Sequence, residues 1–220
     1  MTEPAQALQE VRDRIAKAAR IARREPTDIE LIAISKTHPA DAIGPLISAG
    51  QKVFGENRVQ EAQAKWPALL ETHEGLSLHL VGQLQSNKAE DAARLFDCIH
   101  SLDRPSLVPA LAKAFDKAGR QVSCFVQVDI GEEKQKGGCP IADVPGLLAE
   151  ARGADIPVIG LMCVPPLAVE AAPYFALLAK IAADNGLAKL SMGMSGDFET
   201  AVMLGATHVR VGSALFGGRA

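Results

Sequence analysis

Lys36 closes the apolar run Leu31-Ile-Ala-Ile-Ser-Lys36 and is followed by Thr37-His38-Pro39. A lysine at the end of a buried strand has two readings. It can be the first solvated residue, or desolvation and neighbouring cations can free a neutral amine able to attack an aldehyde. Two later segments bear on the choice. Ser191-Met-Gly193-Met-Ser195-Gly196-Asp197 leads into a helical pattern, and Arg210-Val-Gly212-Ser213 runs on through Ala-Leu-Phe-Gly217-Gly218. Both are small glycine-containing turns with hydroxyls. Glycine lets backbone N–H groups approach an anion, helix N-termini favour negative charge, and Ser195 and Ser213 add donors. Ser195 or Asp197 also suits ordinary helix initiation, but two such turns on consecutive strands favour a phosphate site. Arg210 adds a fixed cation for a phosphate, a carboxylate or a ring nitrogen. A lysine amine with a phosphate cup suits a phosphorylated aldehyde or ketone. Two chemistries remain open: a pyridoxal phosphate Schiff base, or a class I aldolase acting on a phosphosugar.

Other polar residues are less specific. Phe54-Gly-Glu56-Asn57-Arg58 ends a second strand, where Asn57 is either a helix cap or a site residue. His79 lies between apolar neighbours in Leu78-His79-Leu80, so a hydrogen-bonded core histidine competes with a functional one. Cys98, Cys124, Cys139 and Cys163 form no CxxC pair and lack metal-ligand spacing, so buried, reduced thiols and no metal are expected.

These residues need a scaffold that brings strand ends together. Leu8, Val11, Ile15, Ala18 and Ala22 recur at helical spacing, predicting a first helix over Pro4–Arg24 ended by Pro26. Strands are then expected near Leu31–Ser35, Lys52–Gly55, Leu78–Gly82, Cys98–Ser101, Val122–Val128, Val158–Met162, Lys189–Met192 and His208–Val211. Helical patterns alternate with them at Ala40–Ala49, Arg58–Glu71, Lys88–Phe96, Pro105–Ala118, Val144–Arg152, Val169–Asp184 and Phe198–Leu204. Gly50, Gly119, Gly186 and Gly205 each follow a helical pattern, where a left-handed residue ends a helix. Eight alternations favour a single (β/α)8 barrel, an α/β fold of TIM type with an extra N-terminal helix, spanning residues 1–220 as one domain. A doubly wound open sheet is the runner-up, but no GxGxxG follows the first strand. Asp129–Ile141 reads as a long loop.

Composition excludes several classes. The 220 residues carry 23 basic and 26 acidic side chains in a mixed pattern, giving a formal charge of −3. With 4% aromatics this gives no basis for nucleic-acid binding. No apolar run approaches the ~20 residues of a membrane span. No signal-peptide block opens the chain, so a cytoplasmic protein is expected, and a monomer is preferred.

The same segments resemble the pyridoxal 5′-phosphate (PLP) homeostasis protein family. The matching stretches are Leu31-Ile-Ala-Ile-Ser-Lys-Thr, Val53-Phe-Gly-Glu-Asn-Arg-Val-Gln-Glu-Ala, Gly82-Gln-Leu-Gln-Ser-Asn-Lys88, Gly160-Leu-Met, Ser191-Met-Gly-Met-Ser-Gly-Asp and Val209-Arg-Val-Gly-Ser-Ala-Leu-Phe-Gly217. They keep the family's order over nearly the whole chain. The resemblance implies a barrel like the N-terminal domain of alanine racemase, with PLP held on Lys36. It assigns the phosphate to Ser195, Gly212 and Ser213 with backbone near Met194, places Arg210 at the ring nitrogen and Asn57 beside the cofactor, and suggests His79 and Met162 as pocket wall. It also implies vitamin B6 homeostasis, a carrier that buffers PLP and passes it to apo-enzymes, without turnover. The alternative is a PLP-dependent enzyme with weak racemase-type activity. The chain departs from the family at Leu78, where an aromatic is frequent, at Gln83, where proline is frequent, and at Lys136-Gly137-Gly138, where Lys-Ser-Gly is usual.

Overall fold

The computed structural model describes residues 4–133 and 137–217. Eight parallel strands, each hydrogen-bonded to the next in sequence, close into a barrel when the last pairs with the first. They are β1 Glu30–Ile34, β2 Val53–Glu56, β3 Ser77–Leu80, β4 Cys98–Leu102, β5 Ser123–Val128, β6 Val158–Cys163, β7 Lys189–Met194 and β8 His208–Val211. Almost every strand residue is buried, as expected where one face meets the barrel interior and the other meets helices. The expected open-sheet alternative is thereby excluded.

Eight of the helices are α1 Pro4–Ile21, α2 Ala40–Ser48, α3 Val59–Thr72, α4 Ala89–Leu95, α5 Val108–Ala118, α6 Val144–Gly153, α7 Ala172–Asp184 and α8 Phe198–Met203. Four of them end as their glycines dictate. Gly50, Gly119, Gly186 and Gly205 take φ of +87, +64, +70 and +102°. In each case the next residue's N–H returns to the carbonyl five residues back: Gln51 to Leu46, Arg120 to Phe115, Leu187 to Ala182 and Ala206 to Ala201. This 6→1 bond satisfies a carbonyl that the helix end would otherwise leave open.

The apolar stripe of α1 (Leu8, Val11, Ile15, Ala18, Ala19) is buried, with α8 and α9 (Ser213–Phe216) among its neighbours. Arg14 fixes the seam with α8 by a 2.7 Å ion pair to Glu199 and a guanidinium 4.5 Å above the Phe198 ring.

Several boundaries differ from expectation. The first helix stops at Ile21, three residues early, and Arg23 turns at φ +56°. The helix expected from Val169 begins at Ala172, after Ala168 turns at φ +60°. Pro105–Leu107 forms a separate 3₁₀ turn before α5. Helix α9, four residues long, is too short to show any periodicity in the sequence.

The Asp129–Ile141 segment returns to the barrel: Cys139 forms a parallel bridge to Val128, donating to Gln127 O at 2.8 Å and accepting from Asp129 N at 2.9 Å. All four cysteines are buried and free. Burial pushes the Cys124 and Cys163 thiols up to about 12 and Cys139 to about 11. Among the described residues no helix is long and apolar enough to cross a membrane.

Candidate functional site

A cavity of about 440 Å³ opens at the C-terminal ends of the strands, the end at which barrels carry their chemistry. Seven of the nine residues singled out in the sequence line it: Lys36, Asn57, Met194, Ser195, Arg210, Gly212 and Ser213. Its volume lies within the ordinary range for a small-molecule site.

Lys36 stands two residues past β1, in a turn whose next residue, Thr37, has φ +65°. Strand β1 brings it there because side chains alternate, so Ile32, Ile34 and Lys36 share one side of the chain. Asn57 follows β2 and lies against Gly82 after β3. A Cβ on Gly82 would stand 2.2 Å from the Asn57 carbonyl oxygen, so only glycine permits this approach.

Beside Lys36, where β8 pairs with β1, the turns after β7 and β8 converge. Gly212 N–H donates to Ser195 Oγ at 3.2 Å, tying the two together. Asp197 sits at the start of α8, but its carboxylate folds back to accept from Met194 N at 2.6 Å, so it shapes the turn rather than capping the helix. Gly212 O accepts from Leu215 and Phe216 N at 2.8 and 3.0 Å, forming α9 and leaving Ser213 and Ala214 N–H in a first turn that has no intrahelical acceptors. Cβ atoms added at Gly196 or Gly217 would meet nothing within 4 Å among the described residues, so open space adjoins these donors. Two hydroxyls, backbone donors and a helix start around a small opening fit a phosphate. Gly218, at the end of the β8 motif, lies outside the described residues.

Arg210 supports the cavity from below. Its Nη1 donates to Ser191 O at 2.8 Å and Ser191 Oγ at 2.6 Å, and its Nη2 donates to Cys163 O at 2.8 Å. Burial lowers its pKa from the usual value, while these oxygens hold the cation in place. Ser191 Oγ also bonds His100 Nδ1 at 2.8 Å, continuing the polar chain into the barrel.

His79 and Met162 lie outside the cavity's lining. Val81 and Val164, two residues further on and just past the ends of β3 and β6, line it instead. His79 and Met162 belong to the layer beneath, where His79 meets His100 and Met162 packs with Phe125 and Cys98. Thr37, His38 and Gly196 also line the cavity. His38 stacks on Phe216 of α9 with ring centroids 4.4 Å apart. His38 lies beyond the turn at Thr37, where strand alternation no longer applies, so no periodic signal in the sequence marked it.

The alanine racemase N-terminal domain family matches residues 7–220. The chain is also 38% identical to the Pseudomonas aeruginosa protein named pyridoxal phosphate homeostasis protein, covering 100% of this chain and 97% of that one. This chain belongs to the pyridoxal phosphate homeostasis protein family. A relative of that name in Escherichia coli strain K12 is likewise 38% identical, with 100% and 98% of the two chains covered. Among solved structures, PipY of Synechococcus elongatus without PLP superposes with a TM-score of 0.83 at 40% identity, covering 92% of this chain and all of that one. The structure of PipY with PLP bound gives 0.81 at the same identity and coverage. Alanine racemase from Bacillus anthracis gives 0.67 at 16% identity over 96% of this chain and 56% of that one, a likeness of fold.

Two departures from the pyridoxal phosphate homeostasis protein pattern meet in space. The Gln83 side chain fills the volume a Cβ on Gly137 would need, with its Nε2 1.7 Å from that position. Lys136, next to Gly137 in sequence, lies outside the described residues.

Proposed function

We propose that this chain binds PLP at the barrel mouth, with Lys36 Nζ as its covalent anchor, and acts as a carrier that buffers the cofactor and releases it to apo-enzymes. The observation that carries the reading is that Lys36 shares one cavity with the donor cup of Ser195, Gly212 and Ser213. The PLP-bound PipY structure and the relatives' names support the same ligand. Ser195, Gly212, Ser213 and backbone near Met194 hold the phosphate, and Asn57 flanks the ring. Val81 and Val164 form apolar wall, with His79 and Met162 backing them one layer below. When bound, PLP supplies an electrophilic aldehyde that exchanges between amines.

Arg210 bears on whether turnover accompanies binding. An arginine facing the ring nitrogen disfavours its protonation and weakens the cofactor as an electron sink. A second proton-transfer group opposite lysine is the other requirement of a racemase. The chain's only tyrosine, Tyr174, is on α7 and packs against the hydrophobic core. We therefore assign no catalytic residue and no enzymatic turnover, in a cytoplasmic, monomeric, single-domain protein. The test is to mix PLP-loaded protein with an apo PLP-dependent enzyme and to assay the protein alone with D- and L-amino acids. Reactivation without turnover is expected. Turnover that vanishes in Lys36→Ala would favour the weak racemase.

A further inference from the structure

The barrel interior beneath the mouth gathers donors that do not line the cavity. His79 of β3 and Cys98 of β4 are register partners, and His100 follows Cys98 by two residues, on the same side of β4. One donor atom from each of these three buried residues lies within 4.8 Å of the other two. His79 Nδ1 and His100 Nε2 share a hydrogen bond at 3.1 Å, whose proton an ion would replace. Two imidazole nitrogens bound tetrahedrally to zinc stand about 3.3 Å apart, by the usual bond lengths, so the separation already suits a shared ion.

The outward nitrogen of His100 is also placed as a metal-binding histidine requires. His100 Nδ1 is 2.8 Å from Ser191 Oγ, which leaves Nε2 to point at the cluster. His79 Nε2 is turned toward Glu30 Oε1, 3.9 Å away, and the same carboxylate oxygen is 3.3 Å from His208 Nε2. A hydroxyl bonded to the far nitrogen, as Ser191 is to His100, is the kind of contact that orients a metal-ligating imidazole. Burial keeps these imidazoles neutral, the form that ligates: the His79 pKa is lowered to about 4, and that of His100 falls well below its usual value. The Cys98 thiol is pushed up by burial, so a metal must displace its proton. Lys189, which acts on Glu30 and His208, and Arg210, which acts on His100 and His208, are the cations facing this group. Glu30, which acts on Cys98, and Asp97, which acts on His79 and Cys98, supply the opposing charge.

We propose that His79, Cys98 and His100 form a metal site in the barrel interior, taking a borderline-soft divalent cation such as Zn²⁺ through two imidazole nitrogens and one thiolate, with water in a fourth position. A His₂Cys donor set in tetrahedral arrangement selects such ions over Mg²⁺ or Ca²⁺, which prefer oxygen. Binding forms one sulfur–metal bond and releases the Cys98 thiol proton to solvent. Cys98 and His79 come together only by strand pairing, so the spacing of cysteines along the chain carried no sign of the site.

The test uses Co²⁺ on the full-length chain after chelator treatment, both added to the native protein and present during refolding, so that slow entry cannot hide a site. The expected result is one equivalent of Co²⁺ with the intense visible bands of a four-coordinate ion and a thiolate-to-cobalt charge-transfer band. About one proton should be released per ion, and Zn²⁺ should bleach the bands. Cys98→Ala should lose the charge-transfer band while keeping its fold and its PLP loading, and Lys36→Ala should keep every band. The proposal is overturned if neither protocol gives four-coordinate bands, if Cys98→Ala retains the charge-transfer band, or if Lys36→Ala abolishes them.

Discussion

Lys65 Nζ lies 2.9 Å from Glu56 Oε1, in the seam between β2 and α3, where Glu56 is wholly buried. The same ammonium donates to the carbonyls of Ser35 at 2.8 Å and His38 at 2.9 Å, on either side of the Lys36 turn. Glu56 Oε1 also accepts from the Ser35 hydroxyl at 2.6 Å and the Trp66 indole N–H at 3.0 Å. Glu61 completes the arrangement by accepting from Thr37 N–H and pairing with Lys65. The exit of β1 is thus held by one buried ion pair that touches the backbone on both sides of the proposed anchor.

Lys65→Met keeps the aliphatic stem and removes the ammonium, leaving the Glu56 carboxylate buried without its counter-charge. Breaking a buried pair in this way costs about 3–5 kcal/mol, and urea denaturation should show a loss of that order. PLP capture, followed by absorbance after mixing, should slow because the Lys36 turn loses two carbonyl contacts. Adding Glu56→Gln should recover much of the stability but not the capture rate. Recovery of both would show that the ion pair does not position the turn.

Acidification should destabilise the fold before ordinary carboxylates titrate. His79 is lowered to about 4 and His208 to about 3, and His100 falls well below its usual value, in each case chiefly by desolvation. Glu30 does not reverse this although it sits 3.3 Å from His208, because burial outweighs the pairing. Below about pH 6.5 the unfolded chain takes up protons that the folded chain refuses, so stability falls as pH drops from there toward 4. Each histidine contributes up to about 1.4 kcal/mol per pH unit across that window. Glu30, whose own pKa is raised by burial, offsets part of the loss at the acidic end. Denaturation midpoints measured in chelator should be level between about pH 7 and 8, below the range in which unfolded thiols ionise, and decline steeply from about 6 to 4. His208→Gln should reduce that slope by about one proton, whereas an unchanged slope would contradict the account.

Gly137 and Gln83 should be energetically coupled. Gln83 Nε2 donates to Asp103 Oδ2 at 3.2 Å and occupies the space where a residue-137 side chain would begin. Gly137→Ser should therefore cost about 1 kcal/mol or more alone and markedly less in a Gln83→Ala background. A double-mutant cycle on denaturation midpoints measures the coupling, and additive effects would remove it.

The barrel was legible because its signals are local. Apolar runs, helical spacing and Gly50, Gly119, Gly186 and Gly205 mark strands and helix ends without any knowledge of packing. The mouth was legible for a second reason: Lys36, Asn57, Ser195, Gly212 and Ser213 all lie just beyond strand ends, where parallel closure gathers them. Depth inside the barrel was not. His79 and Met162 were read as pocket wall, yet Val81 and Val164, one alternation further on, reach the cavity, because strand stagger sets which layer faces it. Nor do the Lys65 clamp and the pairing of Cys98 with His79 have any local signature, since both depend on which strands and helices become neighbours.

The central claim is that Lys36 anchors PLP. It is tested most directly by loading the protein with PLP, reducing it with borohydride and mapping the peptides by mass. The account predicts a phosphopyridoxyl adduct on Lys36, absent in Lys36→Ala. A principal adduct on any other lysine, or no adduct at all, would contradict it.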